Sequence, residues 1–275
     1  MILRRLAALY LIFQIHLSVA QTVTGSVIDP KTREPLAYVN IGVVGKGIGT
    51  VSDINGKFSI PLYDSVDDQT LRFSYIGYTN QSFRVSEFKK QFHNGGTIEM
   101  EANMVALQTV TVKPKVMKTK VLGNRNDSKR MMAGFKTNNL GCELGTIMRI
   151  KKAPTYIESV NFNIARNLIK DAKFRVNIYT MKDGQPDKNI LPEAIYVTTS
   201  IESGTLTVDL KKYNLRVDGD FLVALEWIED YGTGKLYFCA GLMDNNSMGR
   251  NTSQDKWQKS TPIGIGFNST VSYEK

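Results

Sequence analysis

At 275 residues, with 42% hydrophobic and 22% charged side chains, the chain holds enough apolar material for packed cores and does not have the composition of a disordered segment. Two cysteines exclude a disulfide-dense scaffold, and no apolar run is long enough for a helical membrane span. The formal net charge is +9, and its position along the chain matters more than its size.

Residues 1–20 read as a secretory signal. Arg4 and Arg5 form the positive end, Leu6 to Phe13 is a short apolar core, and Ser18-Val19-Ala20 precedes Gln21 as a small-x-small cleavage site. Cleavage after Ala20 is expected, leaving no transmembrane segment. No cysteine follows the apolar run, so a lipid anchor is not expected. Removal takes away two arginines and leaves +7. Residues 113–141 alone carry Lys113, Lys115, Lys118, Lys120, Arg125, Lys129, Arg130 and Lys136 against Asp127, so the remainder is neutral. With Gly, Asn and Lys and no sustained period, 113–141 is expected to be a basic, self-repelling linker. Phe135 stands alone there, without interleaved aromatics, and nucleic acid is not an expected partner.

From Gln21 to Val112 the pattern is that of short strands between turns. Thr22 to Ile28 reads as a strand, Asp29-Pro30-Lys31-Thr32 as a turn, and Leu36 to Val44 as a second strand. Asn55-Gly56, between Gly49–Val51 and Lys57–Ile60, predicts a type I′ hairpin, which needs φ > 0 twice. Thr70–Ile76 and Thr79–Val85 predict another hairpin across Gly77, and Thr97–Met100 and Leu107–Val112 complete the set. The expected fold is an all-β sandwich.

These residues carry a resemblance. Gly25-x-Val27-x-Asp29, Glu34-Pro35-Leu36, Val39-x-Ile41, Ser52-Asp53-x-Asn55-Gly56-x-Phe58 and Phe73-Ser74-Tyr75-Ile76-Gly77-Tyr78 resemble the carboxypeptidase-regulatory-like domain, the transthyretin-like sandwich common in envelope proteins of Bacteroidota. The resemblance implies an Ig/transthyretin-like (prealbumin) sandwich over about 21–112 and an envelope compartment. It implies no catalysis, because in the carboxypeptidases this domain is an accessory.

Residues 142–275 predict a second sandwich, jelly-roll-like, with no useful helical period. The expected strands are Thr146–Lys151, Tyr156–Ile164, Lys173–Thr180, Ile195–Thr199, Thr205–Leu210, Phe221–Trp227, Lys235–Leu242 and Ile263–Tyr273. The third alternates most cleanly: Phe174, Val176 and Ile178 on one face, Arg175, Asn177 and Tyr179 on the other. Asp183-Gly184-Gln185-Pro186 is a turn. VNIYTMKDGQPDKNIL followed by TVDLKKYNLRVDGDFLVALEW is similar to exported sandwich modules of Bacteroidota.

The chemistry that the residues can support is narrow. His93 is the one histidine after Ala20, in a loop expected over Lys89–Gly96, with no Gly-x-Ser-x-Gly elbow and no zinc-ligand pair. No metal, cofactor or catalytic residue is assigned, and the protein is expected not to be an enzyme. Carboxylates could serve a glycan- or peptide-acting hydrolase: Glu226 with Glu229 and Asp230, or Asp218 with Asp220. An outward strand face and an acidic turn explain them as well. Asp53-Ile54-Asn55-Gly56 resembles the start of a calcium loop but lacks the downstream Glu. Cys142 and Cys239 fit one disulfide or two separate thiols. Trp227 and Tyr237 fit the core of the second domain. Tyr231 and Trp257, in the loops Asp230–Gly234 and Asp244–Trp257, are the expected contacts for a protein partner or glycan. The function expected is binding or scaffolding in a Gram-negative envelope, periplasmic or surface-associated.

Overall fold

The computed structural model describes residues 20–103, 116–135, 139–242 and 246–275. The first sandwich is built from β1 (Ala20–Ile28), β2 (Asn40–Val43), β3 (Ile48–Val51), β4 (Lys57–Tyr63), β5 (Thr70–Ser74), β6 (Gln81–Arg84), helix α1 (Val85–Gln91) and β7 (Thr97–Glu99). A sheet in the order β4-β1-β7 faces one in the order β3-β2-β5-β6. β7 runs parallel to β1; the other pairs are antiparallel. Strict alternation builds the core. In β4, Phe58, Ile60 and Leu62 point inward and Lys57, Ser59 and Pro61 outward. They meet Val23, Val27, Ile41, Val43, Leu71 and Phe73, and α1 closes the end with Val85 and Phe88.

The second sandwich holds β8 (Met117–Gly123), β9 (Met132–Phe135), β10 (Glu143–Met148), β11 (Thr155–Asn167), β12 (Ala172–Lys182), β13 (Gln185–Asn189), β14 (Ile195–Thr199), β15 (Gly204–Asp209), β16 (Leu215–Val217), β17 (Phe221–Trp227), β18 (Leu236–Leu242), β19 (Ser247–Arg250), β20 (Gln258–Lys259), β21 (Ile263–Ile265) and β22 (Phe267–Glu274). One sheet runs β13-β12-β17-β10-β19-β20, with β14 also on β12. The other runs β21-β18-β11-β22-β8, with β15 and β16 on β11 and β9 on β18. Phe162, Phe174, Trp227, Phe238 and Phe267 fill the space between them. The chain is therefore all-β in two sandwiches.

Three local expectations change. First, Asn55-Gly56 does not make a hairpin. β3 and β4 lie in different sheets, and only Gly56 of the pair has positive φ. Asp53 organises the turn instead, its carboxylate accepting from the amides of Asn55 and Lys57, both at 2.8 Å. The two-residue loop with φ > 0 at both positions is Asp183-Gly184, which joins β12 to β13 with Lys182 opposite Gln185. Second, residues 85–91, expected at the end of a strand and the start of a loop, form α1, because Val85 and Phe88 share a buried face at helical spacing. Third, the described part of 113–141 is not an extended linker. β8 pairs along its length with β22, and β9 pairs with β18. Phe135 is buried against Phe174, Trp227 and Phe238. The basic side chains of β8 obscured the pairing, because an edge strand can carry lysines without interrupting its ladder. The expected strand Leu107–Val112 lies outside the described residues, as do Lys113, Lys115 and Lys136.

Hydrogen exchange on the full chain tests this reassignment. Alternate amides of β8 should exchange far more slowly than an unstructured segment of the same sequence. Uniformly fast exchange across Met117–Gly123 would return this segment to the status of a tether.

Candidate functional site

The polar face of β12 is where the two sandwiches meet. Strand register places Arg175 opposite Glu226, Glu226 opposite Glu143, and Glu143 opposite Arg250, so four charges cross β12, β17, β10 and β19 in one row. Arg175 and both glutamates are at most 1% exposed. Arg175 grips Glu226 through Nε and Nη2, both at 2.8 Å. Arg250 pairs with Glu143 through the same two nitrogens. Asn177 Nδ2 donates to both carboxylates, at 2.7 Å to Glu226 and 3.1 Å to Glu143. The Tyr179 hydroxyl donates to Glu143 at 3.1 Å. Two carboxylates side by side are tolerated because an arginine flanks each and shared donors stand between them.

Burial pushes Glu143 up to about 7; Arg250 pulls the other way, and the neighbouring charge of Glu226 adds to the rise. Burial also pushes the Cys142 thiol up to about 12, with Glu143 as the next cause. Burial disfavours the charge on Arg175 and Arg250, yet their glutamates hold both guanidiniums above the usual range.

The first sandwich docks on this row. Arg175 Nη1 donates to the Tyr38 carbonyl at 2.6 Å. The Tyr38 hydroxyl donates to Glu229, which also pairs with Lys173 at 3.2 Å. Tyr38, Val51 and Ile228 form a small apolar seam that includes Leu140 and Tyr196. Residues 252–254 lie flat on β2 and β3. Ser253 Oγ donates to Asn40, Gln254 Nε2 donates to Ser74 at 2.7 Å, and the Gly45 amide donates to the Gln254 carbonyl at 2.8 Å. A Cβ at Gly42 would stand 2.3 Å from the Ser253 carbonyl oxygen, and one at Gly49 2.5 Å from it, so glycine is required at both.

Beside this contact the domains leave an open cleft of about 910 Å³. Arg72, Tyr75, Asn80 and Asn103 line it from the first sandwich, and Asn177, Tyr179, Asn189, Tyr213 and Arg250 from the second. The outer, polar sides of β5 and β12 are the walls, and the charge row lies at the floor.

The residues singled out in the sequence fall as follows. Glu226 does not face outward to solvent; it is 0% exposed and held by Arg175. Glu229 belongs to the interdomain contact. Asp218 pairs with Arg216, and Asp220 with Arg149, at the surface. Tyr231 is half-buried: its ring packs edge-on against Trp227, and its hydroxyl donates to Glu229 and accepts from the Lys173 amide. Trp257 is half-buried between Tyr179 and Arg250. Neither is an open stacking platform, because the loops that carry them pack onto neighbouring strands and the first sandwich. Cys142 and Cys239 are free thiols; they belong to opposite sheets, one preceding β10 and the other in β18. His93 is exposed, and among the described residues its ring nitrogens contact the Lys90 carbonyl and Asn94. Among the described residues no group of three or more His, Cys, Asp or Glu could hold a metal. Also among them, no helix is long and apolar enough to cross a membrane. Glu143, Arg250 and Arg72 were missed. The alternation in β12 did signal a polar face, but not the two strands beside it that supply Glu226 and Glu143.

Residues 23–112, which span the first sandwich, match the CarboxypepD_reg-like domain family. No curated protein matches the chain. Among solved structures, it is similar to the cysteine protease and lectin-like domains of Cwp84, a surface layer associated protein of Clostridium difficile. Identity there is 10% and the TM-score 0.42, over 93% of this chain and 59% of that one. A second Cwp84 structure, of the clostridial cysteine protease after propeptide cleavage, is 12% identical with a TM-score of 0.42, over 94% of this chain and 71% of that one. This chain thus spans less than two thirds of the first of these, and at such scores the likeness bears on neither activity nor ligand.

Breaking the charge row from one side should be costly. Arg175→Met leaves Glu226 buried without its partner and should lower stability by about 3–5 kcal/mol. Arg175→Met combined with Glu226→Leu should recover at least half of that loss in denaturant unfolding. Strictly additive losses would show that the pair is not coupled.

Proposed function

We propose that this protein is a non-enzymatic, exported component of a Gram-negative envelope, and that it binds a partner protein or glycan in the cleft between its two sandwiches. The observation that carries the reading is the cleft itself. Both domains furnish its walls, and unlike charges at its floor neutralise one another. A site of this kind holds a ligand through polar side chains on rigid strands. Export is supported by Arg4-Arg5, the apolar run Leu6–Phe13 and Ser18-Val19-Ala20. The match of residues 23–112 to the CarboxypepD_reg-like domain supports an accessory role, and the sequence resemblance supports a Bacteroidota origin.

The alternative is a hydrolase acting through carboxylates, and Glu143 gives it one argument. A carboxyl pushed up to about 7 is suited to donate a proton near neutrality. Its geometry opposes that role. Glu143 is 0% exposed and occupied by Arg250, Tyr179 and Asn177, and Glu226 is equally enclosed by Arg175. Neither can touch a glycosidic or peptide bond without dismantling the row.

Asn80 is exposed on the cleft wall, so Asn80→Trp should obstruct part of the cleft without disturbing the fold. Immobilised wild-type protein should retain material from envelope extracts, and Asn80→Trp should retain several-fold less at an unchanged melting temperature. Neither should turn over peptide or glycan panels. Equal retention by the two proteins would move the site elsewhere. Hydrolysis that Glu226→Gln abolishes would establish the enzymatic alternative.

A further inference from the structure

The cleft has a chemical bias beyond its polarity. Asn80 and Asn103 on one wall present exposed amides, which both donate and accept hydrogen bonds, whereas Asn189 on the other wall is held by Asn177 and the Leu191 amide. Tyr75 and Tyr213 add phenol rings, with an apolar body and a polar edge. Sugar rings need both features, since they carry hydroxyls that donate and accept around a C–H face. The volume of about 910 Å³ lies near the upper end of small-ligand sites and exceeds what a single small anion needs.

The charges of the cleft do not all cancel. Arg175 and Arg250 are committed to Glu226 and Glu143. Glu193 is committed to Tyr213 and Lys212. Asp187 and Lys188 bring one charge of each sign to the rim. Arg72 remains. It stands on β5 between two buried residues, Leu71 and Phe73, and its side chain points out of the first core toward the cleft. Its guanidinium makes no hydrogen bond or ion pair with the described residues, while its backbone is paired within the sheet. An arginine fork in such a place fits a carboxylate through two parallel hydrogen bonds.

We infer that the cleft takes an acidic oligosaccharide, with a sugar carboxylate on Arg72 and ring hydroxyls on Asn80 and Asn103. This rests on the reading of the protein as a binding component and specifies the ligand class of that same cleft. Tyr75 and Tyr213 supply the ring contacts. The buried row below holds Arg250 on Glu143 at the cleft floor, so the ligand meets a preformed surface.

The test uses the full chain on a glycan array with uronate-bearing, sialylated and neutral oligosaccharides, followed by titration calorimetry on the strongest acidic binder. Acidic oligosaccharides should bind and their neutral counterparts should bind more weakly, with affinity falling as salt is raised. Arg72→Gln should weaken the acidic ligand about tenfold or more, the loss of a charge-assisted hydrogen bond, without shifting the melting temperature. Binding of neutral oligosaccharides only, or acidic binding unchanged in Arg72→Gln, would overturn the inference. So would an array with no saccharide bound. If Asn80→Trp still loses retention of envelope material in that last case, the cleft remains a binding site and only the ligand class falls.

Discussion

Two arginines and two glutamates stand side by side across four strands of the second sandwich, and their mutual neutralisation allows that face to be covered. A single unpaired charge there would carry a desolvation cost of several kcal/mol, enough to keep the face in water. Arranged as Arg175, Glu226, Glu143 and Arg250, the row presents little net charge and leaves Arg175 Nη1 free to reach the Tyr38 carbonyl of the other domain. The docking of the first sandwich thus depends on chemistry set within the second. Such a row contributes less as attraction than as a condition: its parts are costly only when separated.

Docking has two consequences. It covers part of the outer face of β12, and Arg175, which reaches the Tyr38 carbonyl, is 1% exposed on a strand face that alternation alone would assign to water. It also leaves a cleft where the two polar faces diverge. Residues 252–254 hold the domains at that separation, lying across Gly42 and Gly49 at a distance that no larger residue permits. The cleft therefore comes from domain placement, and neither sandwich contains it alone.

Much of the fold was readable in the sequence because period-two alternation is a local property. Phe221–Trp227 and Ile195–Thr199 coincide with the observed β17 and β14. The alternation of Arg175, Asn177 and Tyr179 against Phe174, Val176 and Ile178 gave both faces of β12 correctly. What was not readable depends on pairing between distant segments. Lysine-rich Met117–Gly123 looks like a tether until β22, some 150 residues later, offers it an edge to join. Asn55-Gly56 has hairpin chemistry, but its flanking strands enter different sheets. Glu226 in FLVALEW could be outward or buried, and only its neighbours Arg175 and Glu143, on strands set beside it by topology, decide that. Tyr231 and Trp257 sit in polar loops, as expected, yet those loops fold inward.

Calorimetry of the wild-type chain tests whether the charge row and its contacts make the two sandwiches one cooperative body. If they do, the chain unfolds in a single transition with matching calorimetric and van't Hoff enthalpies. Two resolved transitions, or a calorimetric enthalpy well above the van't Hoff value, would mean that the domains unfold independently, and the row could not then be what holds the cleft together.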